Sequence, residues 1–457
     1  MTRFLVHLRR VLLSAGALLN VTASSFPQQS VSLQEAIALA RQHSRTLKIS
    51  QAREDAALAK AHEAETALLP NLRLTAGYQR QSDVGPFQVS VPFQPQAFEI
   101  APSIVNTYTT RVSVQQPLFT GLRLVNNADA AEYLGDAAQH DRLNEEAEVT
   151  LAVTTAYWML YQAMQVRTFA DENMARLQAM EQDTRNLLKA GLATRNDLLK
   201  VQLQLNAARL SQIDAANEVR VAMMNLNFLM GQPTDTQLEL TSRPLFPADQ
   251  EGKVFRPDDA AREVSALLDR AMQSRADIRA MSARLEAARA AARAARGAWW
   301  PQVYLVGGYS YARPNVRYQP TRDEFKGSWD VGIQLQFDVW NWNATADQVA
   351  QADAFVTQTE LALAQLQERV ALDLKRQWLA LQRAEEKVRV AFLAIEQAEE
   401  NQRTMNDRYR QGIASATELL DANVALLQAR TSYSAALVEY ELAAAHLRRS
   451  VGETSSP

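Results

Sequence analysis

The chain has 457 residues, 47% of them hydrophobic, with a formal net charge of −3 and no cysteine. Its 48 basic and 51 acidic residues are mixed along the sequence, which excludes a dedicated nucleic-acid surface. Without cysteine there is no disulfide framework and no lipidation through an N-terminal cysteine, so stability must come from packing and assembly.

Residues 1–23 read as a secretory signal. Arg3, Arg9 and Arg10 form the positive end, Val11 to Val21 the apolar stretch, and Val21-Thr22-Ala23 the small-residue cleavage site. That stretch is shorter than the roughly 20 residues needed to span a bilayer, and the mature chain is expected to begin at Ser24. Glu35 to Leu68 is alanine-rich and predicts one helix, ended by Leu69-Pro70 because proline disfavours helix in the residue before it. The period then changes to two. Leu72, Leu74, Ala76 and Tyr78 alternate with Arg73, Thr75, Gly77 and Gln79, predicting a strand with one apolar face. Residues 82–105, with Pro86, Pro92, Pro95 and Pro102, read as a loop, and Thr107 to Gln116 as a second strand.

Leu122 to Lys189 follows without a proline. At 1.5 Å per residue it predicts a rod about 100 Å long. Its uncharged run Val149 to Val166 contains three threonines and two glutamines, with Val149, Val153, Ala156 and Leu160 at helix-packing spacing, so it reads as a packed helix. Gly191 is placed to end the rod in the left-handed conformation, and a return helix runs to Gly231. Residues 232–264, with Pro233, Pro244, Pro247 and Pro257, read as a linker.

Everything then repeats. Pro70 matches Pro301 and Gly77-Tyr78 matches Gly308-Tyr309 at one constant offset. Gly191, Leu198-Leu199, Ala208-Arg209 and Gly231 match Gly412, Leu419-Leu420, Ala429-Arg430 and Gly452 at a second, slightly shorter one. The offset changes between Tyr78 and Phe119, in the one stretch that does not read as helix, so only one connection differs in length between the copies. In the second copy Trp329, Val331, Ile333, Leu335 and Phe337 alternate with polar residues or glycine, and Ala344 to Arg410 is the second rod. There Leu363, Leu366, Val370, Leu374, Trp378, Leu381, Val388, Phe392 and Ile395 step as a coiled-coil seam. The division expected is a signal at 1–23, repeats at 24–231 and 265–452, an equatorial linker at 232–264 and a tail at 453–457. A long-period duplication means that each copy is one unit built to pack on the other.

Two hairpins supply only four strands. Lipid cannot satisfy an open sheet edge, and the smallest membrane barrels have about eight strands, so several chains must share one barrel. The duplicated order of parts, with Leu69-Pro70-Asn71-Leu72, Trp300-Pro301-Gln302-Val303, Gln116-Pro117-Leu118-Phe119-Thr120-Gly121 and the turns Ala190-Gly191-Leu192 and Gln411-Gly412-Ile413, resembles the TolC-type outer membrane efflux proteins, here an unlipidated member. The resemblance covers about Ser32 to Gly452. It implies a mostly α protein with membrane β: a trimeric twelve-stranded β-barrel, four strands per chain, continued by a long α-helical coiled-coil tunnel. It also implies a homotrimer in outer membrane lipid, with the tunnel in the periplasm. That trimer would be the passive exit duct of a tripartite efflux or type I secretion system. A periplasmic adaptor (membrane fusion protein) and an inner-membrane pump of RND, ABC or MFS type would be its partners.

No residues suggest catalysis, a cofactor or a metal. The histidines, His7, His43, His62, His140 and His446, are scattered, and no Gly-rich phosphate loop or nucleophile elbow occurs. The resemblance places Tyr409, Glu418 and Asp421 at the periplasmic gate, and Gly191, Leu192, Gly412 and Ile413 at the adaptor-docking turns. Glu418 has a second reading, because Ser415-Ala416-Thr417-Glu418 is a capping box, repeated at Thr194-Arg195-Asn196-Asp197. Asp421 lies deeper, where a cap has no use for it. The family gate also uses an arginine where this chain has Ala414, so a salt-bridge latch there is not expected. The competing function is a soluble periplasmic coiled-coil adaptor or scaffold, which would not need two lipid-facing hairpins.

Overall fold

A computed structural model describes residues 29–85, 87–89, 98–101, 103–246 and 257–453. The expected signal segment, the Ser24 cleavage point, the tail beyond Glu453 and Pro86, Pro92, Pro95, Pro102 and Pro247 lie outside these residues. A short strand β1 (Gln29–Val31) leads into α1 (Leu33–His43) and α2 (Arg45–Thr66). The single helix expected over 35–68 is therefore broken at Ser44. Its ψ of 123° leaves the helical region, and its hydroxyl accepts from the Leu47 amide, so one serine stops a helix and caps the next. The second copy breaks at the matching position, Arg275, between α5 (Pro257–Ser274) and α6 (Ala276–Arg296).

The main strands are β2 (Asn71–Arg80) and β5 (Asn106–Phe119) in the first copy, β7 (Gln302–Arg313) and β8 (Lys326–Gln336) in the second. They form one antiparallel sheet in the order β2-β5-β7-β8, so the copies join through β5 and β7. The expected loop over 82–105 contains a small hairpin, β3 (Phe87–Val89) on β4 (Phe98–Ala101). Inside the expected linker, β6 (Leu238–Leu240) pairs in parallel with β1.

Two rods of 67 residues, α3 (Arg123–Lys189) and α7 (Ala344–Arg410), return as α4 (Arg195–Met230) and α8 (Ala416–Val451). Each of these helices in the second copy begins and ends at one shared offset from its counterpart in the first. The joints from sheet to rod also match: Gly121 and Leu122 have φ of 60° and 64°, Trp342 and Asn343 of 56° and 64°. Gly121 faces Gly297 closely enough that a Cβ on Gly297 would lie 2.7 Å from the Gly121 carbonyl oxygen. Only glycine lets backbone approach backbone so nearly.

The helices stand side by side, α4 on α3, α3 on α8 and α8 on α7. The main core lies near the middle of α3, where Val153, Tyr157 and Leu160 bury against Leu226, Met230 and Val31. The Tyr157 hydroxyl donates to the Val31 carbonyl at 3.2 Å and accepts from the Ser242 amide at 2.9 Å, tying the β1/β6 pair to the rod. Along α7 the expected seam is buried at Val370, Leu374, Trp378 and Val388. Phe392 departs from it, being exposed and packed against Tyr433.

Candidate functional site: a lipid-facing sheet and a helical tip

The register separates two faces of the sheet. Leu72, Leu74 and Tyr78 stand opposite Val114, Val112 and Tyr108; Val112 stands opposite Tyr309, and Tyr309 opposite Trp329. Val331, Ile333 and Leu335 continue this face, and all are exposed, Trp329, Val331 and Ile333 by more than 70%. Arg73, Thr75, Arg111, Ser113, Ser310, Asp330 and Gln334 occupy the other face. An apolar face this large on a sheet whose strands run 10 to 14 residues suits a hydrocarbon layer. On the polar face Arg111 reaches across β7 to Asp330 at 2.8 Å, passing directly over Gly308.

At the far end of the rods the two turns are built alike. Gly191 and Gly412 have φ of 75° and 73°. The amides of Gly191 and Leu192 donate to Leu188 and Leu187, and those of Gly412 and Ile413 to Tyr409 and Arg408. This closure normally packs the apolar residue after the glycine onto its own helix. Here Leu192 and Ile413 stay 71% and 64% exposed.

Both return helices start in complete capping boxes. Glu418 Oε2 accepts from the Ser415 amide at 2.7 Å and its hydroxyl at 2.8 Å; Asp197 does the same at Thr194. The Ser415 hydrogen bonds hold the Glu418 carboxyl below the usual range, as the Thr194 bonds hold Asp197. Asp421, one turn further along, is exposed, and its carboxylate makes no hydrogen bond or ion pair among the described residues.

Tyr409 is placed differently from the two acids. It is 4% exposed, within a cluster with Met180, Val201, Ala416 and Leu419, and its hydroxyl lies 2.7 Å from that of Thr184 on α3. The Thr184 hydroxyl donates to the Met180 carbonyl at 2.7 Å, so the Tyr409 phenol is the donor between them. Burial pushes the phenol's pKa up. Two weaker links join the same halves: Lys200 to the Thr417 hydroxyl at 3.1 Å, and Arg410 to Asp183 at 3.8 Å. Thr184, Asp183, Lys200 and Arg410 carry no mark of this contact in the sequence, since nothing in their local spacing signals a partner in the other copy.

Among the described residues no helix is long and apolar enough to cross a membrane, and no group of three or more His, Cys, Asp or Glu could hold a metal ion. The geometry defines a class: a wall segment of a channel, with an apolar-faced sheet at one end and a helical tip at the other. The family model for outer membrane efflux proteins matches residues 36–232 and 267–453. Over 406 residues the chain is 21% identical to outer membrane protein TolC of Vibrio cholerae, covering 88% of this chain and 86% of TolC. To the protein CyaE of Bordetella pertussis it is 26% identical over 434 residues, 93% of this chain and 84% of CyaE. The solved structure of VceC from Vibrio cholerae superposes with a TM-score of 0.74 at 18% identity, covering 92% and 96% of the two chains. The outer-membrane channel OprN gives 0.75 at 19% identity, covering 92% and 90%. The chain belongs to the outer membrane efflux protein family, whose members similar to it are channel proteins of the outer membrane, and its function is that of an efflux channel.

Proposed function

We propose that three copies of this chain close a twelve-stranded barrel and a helical tunnel, forming the passive exit duct of a tripartite efflux or type I secretion machine. One observation carries the reading: the sheet ends at β2 and β8 with open edges, although its face is built for lipid. Lipid leaves no partner for those backbone groups, so the edges must pair with other copies. The helices argue the same way. In the row α4-α3-α8-α7 the two outer helices carry exposed apolar stripes, Leu199, Leu203, Leu210 and Phe228 on α4, and Leu361, Leu372, Leu379 and Val390 on α7. A rotation that pairs β8 with the next copy's β2 sets α7 beside the next copy's α4, a head-to-tail contact that closes into a ring.

In this assembly residues 24–231 and 265–452 are the two repeats, 232–264 the equatorial linker, and the rods reach through the periplasm. Gly191, Leu192, Gly412 and Ile413 dock the adaptor, which joins the duct to an RND, ABC or MFS pump. Asp421 and Glu418 ring the constriction, and Tyr409 latches it from within the wall. Native mass measurement of the protein extracted from outer membranes tests the assembly. A trimer that conducts in planar bilayers is expected; a monomer in the soluble periplasmic fraction would favour an adaptor or scaffold and end this reading.

A further inference from the structure

The two repeats correspond residue by residue through the sheet. Leu72 faces Val114 in the first hairpin, and their counterparts, Val303 and Leu335, face each other in the second. The joints correspond too, since Gly121-Leu122 and Trp342-Asn343 make the same left-handed turn into their rods. Within one chain the repeats meet at β5 and β7, where Val112 faces Tyr309 and Pro117 faces Tyr304. The equivalent contact would join β8 to a β2, and these two strands are the opposite edges of one chain's sheet.

The helices on the barrel side show the same imbalance. α6 packs against both rods, α3 and α7, whereas α2 packs chiefly against α3. Ala287 and Ala290 of α6 are buried, and their counterparts on α2, Ala56 and Ala59, are exposed. One side of α2 therefore lacks the rod that its equivalent has.

We infer that β8 pairs with β2 of the neighbouring chain in the register that β5 keeps with β7, while α7 covers that chain's α2. This register presupposes the trimeric barrel and fixes how its chains meet. The counterparts of Val112 and Tyr309 are Ile333 and Tyr78, which then face each other on the apolar side of the seam. The counterparts of Pro117 and Tyr304 are Asp338 and Arg73. Asp338 stands before Trp342 as Pro117 stands before Gly121, and Arg73 follows Pro70 as Tyr304 follows Pro301. An uncharged pair inside the chain thus becomes an acid opposite a base between chains. By alternation both lie on the polar face, and both are exposed without a side-chain hydrogen bond or ion pair among the described residues. The helices supply a second match. Arg293 of α6 donates to Asn126 of α3 at 3.0 Å, and the counterparts are His62 on α2 and Asp347 on α7. The same residue correspondence selects both pairs, and each is complementary in charge once the histidine is protonated. A second copy of this chain is the partner that fits.

The chain has no cysteine, so introduced thiols report the register without background. Ile333→Cys combined with Tyr78→Cys is oxidised in outer membranes and run on a denaturing gel. A bond between opposite edges of the sheet can only join chains. A covalent trimer is expected, about tenfold more abundant than from Ile333→Cys with Leu74→Cys, because thiols that far out of register cannot be bridged. Arg73→Asp or Asp338→Arg alone should lower the fraction of trimer surviving detergent several-fold, and the two reversals together should restore it. Protein that is trimeric by native mass overturns this register if it links equally well through Leu74, links through neither position, ignores both reversals or is not rescued by their combination. Each of those results leaves the trimer standing. A monomer by native mass overturns the trimer itself.

Discussion

The Tyr409 phenol donates to the Thr184 hydroxyl across 2.7 Å, inside an otherwise apolar contact between the last turns of α7 and α3. It is a buried hydrogen bond joining the two copies of the repeat at the tip. If the tip opens when α7 and α8 swing away from α3 and α4, this bond must break. Tyr409→Phe keeps the packing and leaves only one acceptor lone pair unfilled, so the closed tip should lose about 0.5–1.5 kcal/mol. The measurement is open probability in planar bilayers, expected to rise several-fold with little change in melting temperature. An unchanged open probability would mark the contact as merely structural. Because burial raises the phenol's pKa, the contact is fully present below the ordinary tyrosine value of 10.0 and is lost only as pH rises beyond it.

Much of this is legible in the sequence, and the reasons are local. The strands announce themselves because Leu72 to Tyr78 and Trp329 to Leu335 put every second side chain on a lipid face, a signal that needs no knowledge of partners. The ends of the rods are legible because glycine is the residue for φ near 75°. Ser44 escapes notice as a helix break because nothing in a lone serine inside an alanine-rich run distinguishes a cap from a solvated position. The β1/β6 pair escapes too, because two very short parallel strands, one before α1 and one beyond α4, leave no period to read. Tyr409 reads as a gate residue, and sequence alone does not tell a side chain facing the pore from one facing Thr184.

The Glu418 and Asp197 capping boxes predict an acid-sensitive tip. Both carboxyls lie below their ordinary values of 4.5 and 3.8 in the folded chain, so their stabilisation is present above those values and is lost as pH falls through the lowered ones. Amide exchange at residues 415–419 and 194–198 should accelerate below about pH 4 while the core around Tyr157 stays protected. Glu418→Gln should flatten this dependence at 415–419 only. Equal acceleration in the variant would assign the acid response to other groups.

On the polar face of the sheet, Arg111 passes over Gly308 to reach Asp330. Gly308→Val would put a Cβ 2.6 Å from Arg111 Nη2 and push the guanidinium off its partner. Both side chains are about 40% exposed, so solvent screens the pair and it contributes little to stability. Gly308→Val should therefore alter conductance and ion selectivity more than barrel stability. A large loss of stability with unaltered conductance would show that Gly308 serves packing and that the bridge does not face the ion path.

Asp421 and Glu418 differ in what they have to lose. Three-fold closure would bring three copies of each around one axis, a crowding that favours cations, divalent ones above all. Asp421→Ala should weaken cation selectivity and block by multivalent cations from the periplasmic side, because its carboxylate is exposed and has no other duty. Glu418→Ala should mainly fray the start of α8, since both of its capping bonds are made by Oε2. If Asp421→Ala leaves selectivity and block unchanged, the constriction lies elsewhere.

The turns at Gly191 and Gly412 set the last expectation. A Cβ at Gly412 would meet nothing within 4 Å, so a substitution there is not crowded, but its φ of 73° strains an ordinary residue by roughly 1–2 kcal/mol. Asparagine tolerates that conformation, and aspartate does so while adding a charge beside the exposed Ile413. Gly412→Asn should keep the trimer, the conductance and most efflux. Gly412→Asp should keep the trimer and the conductance but abolish efflux in cells and adaptor capture in pull-down. If both variants lose the trimer, Gly412 matters for the bend alone. If both retain full efflux, the adaptor docks on a different part of the tip, and the exposure of Leu192 and Ile413 needs another partner.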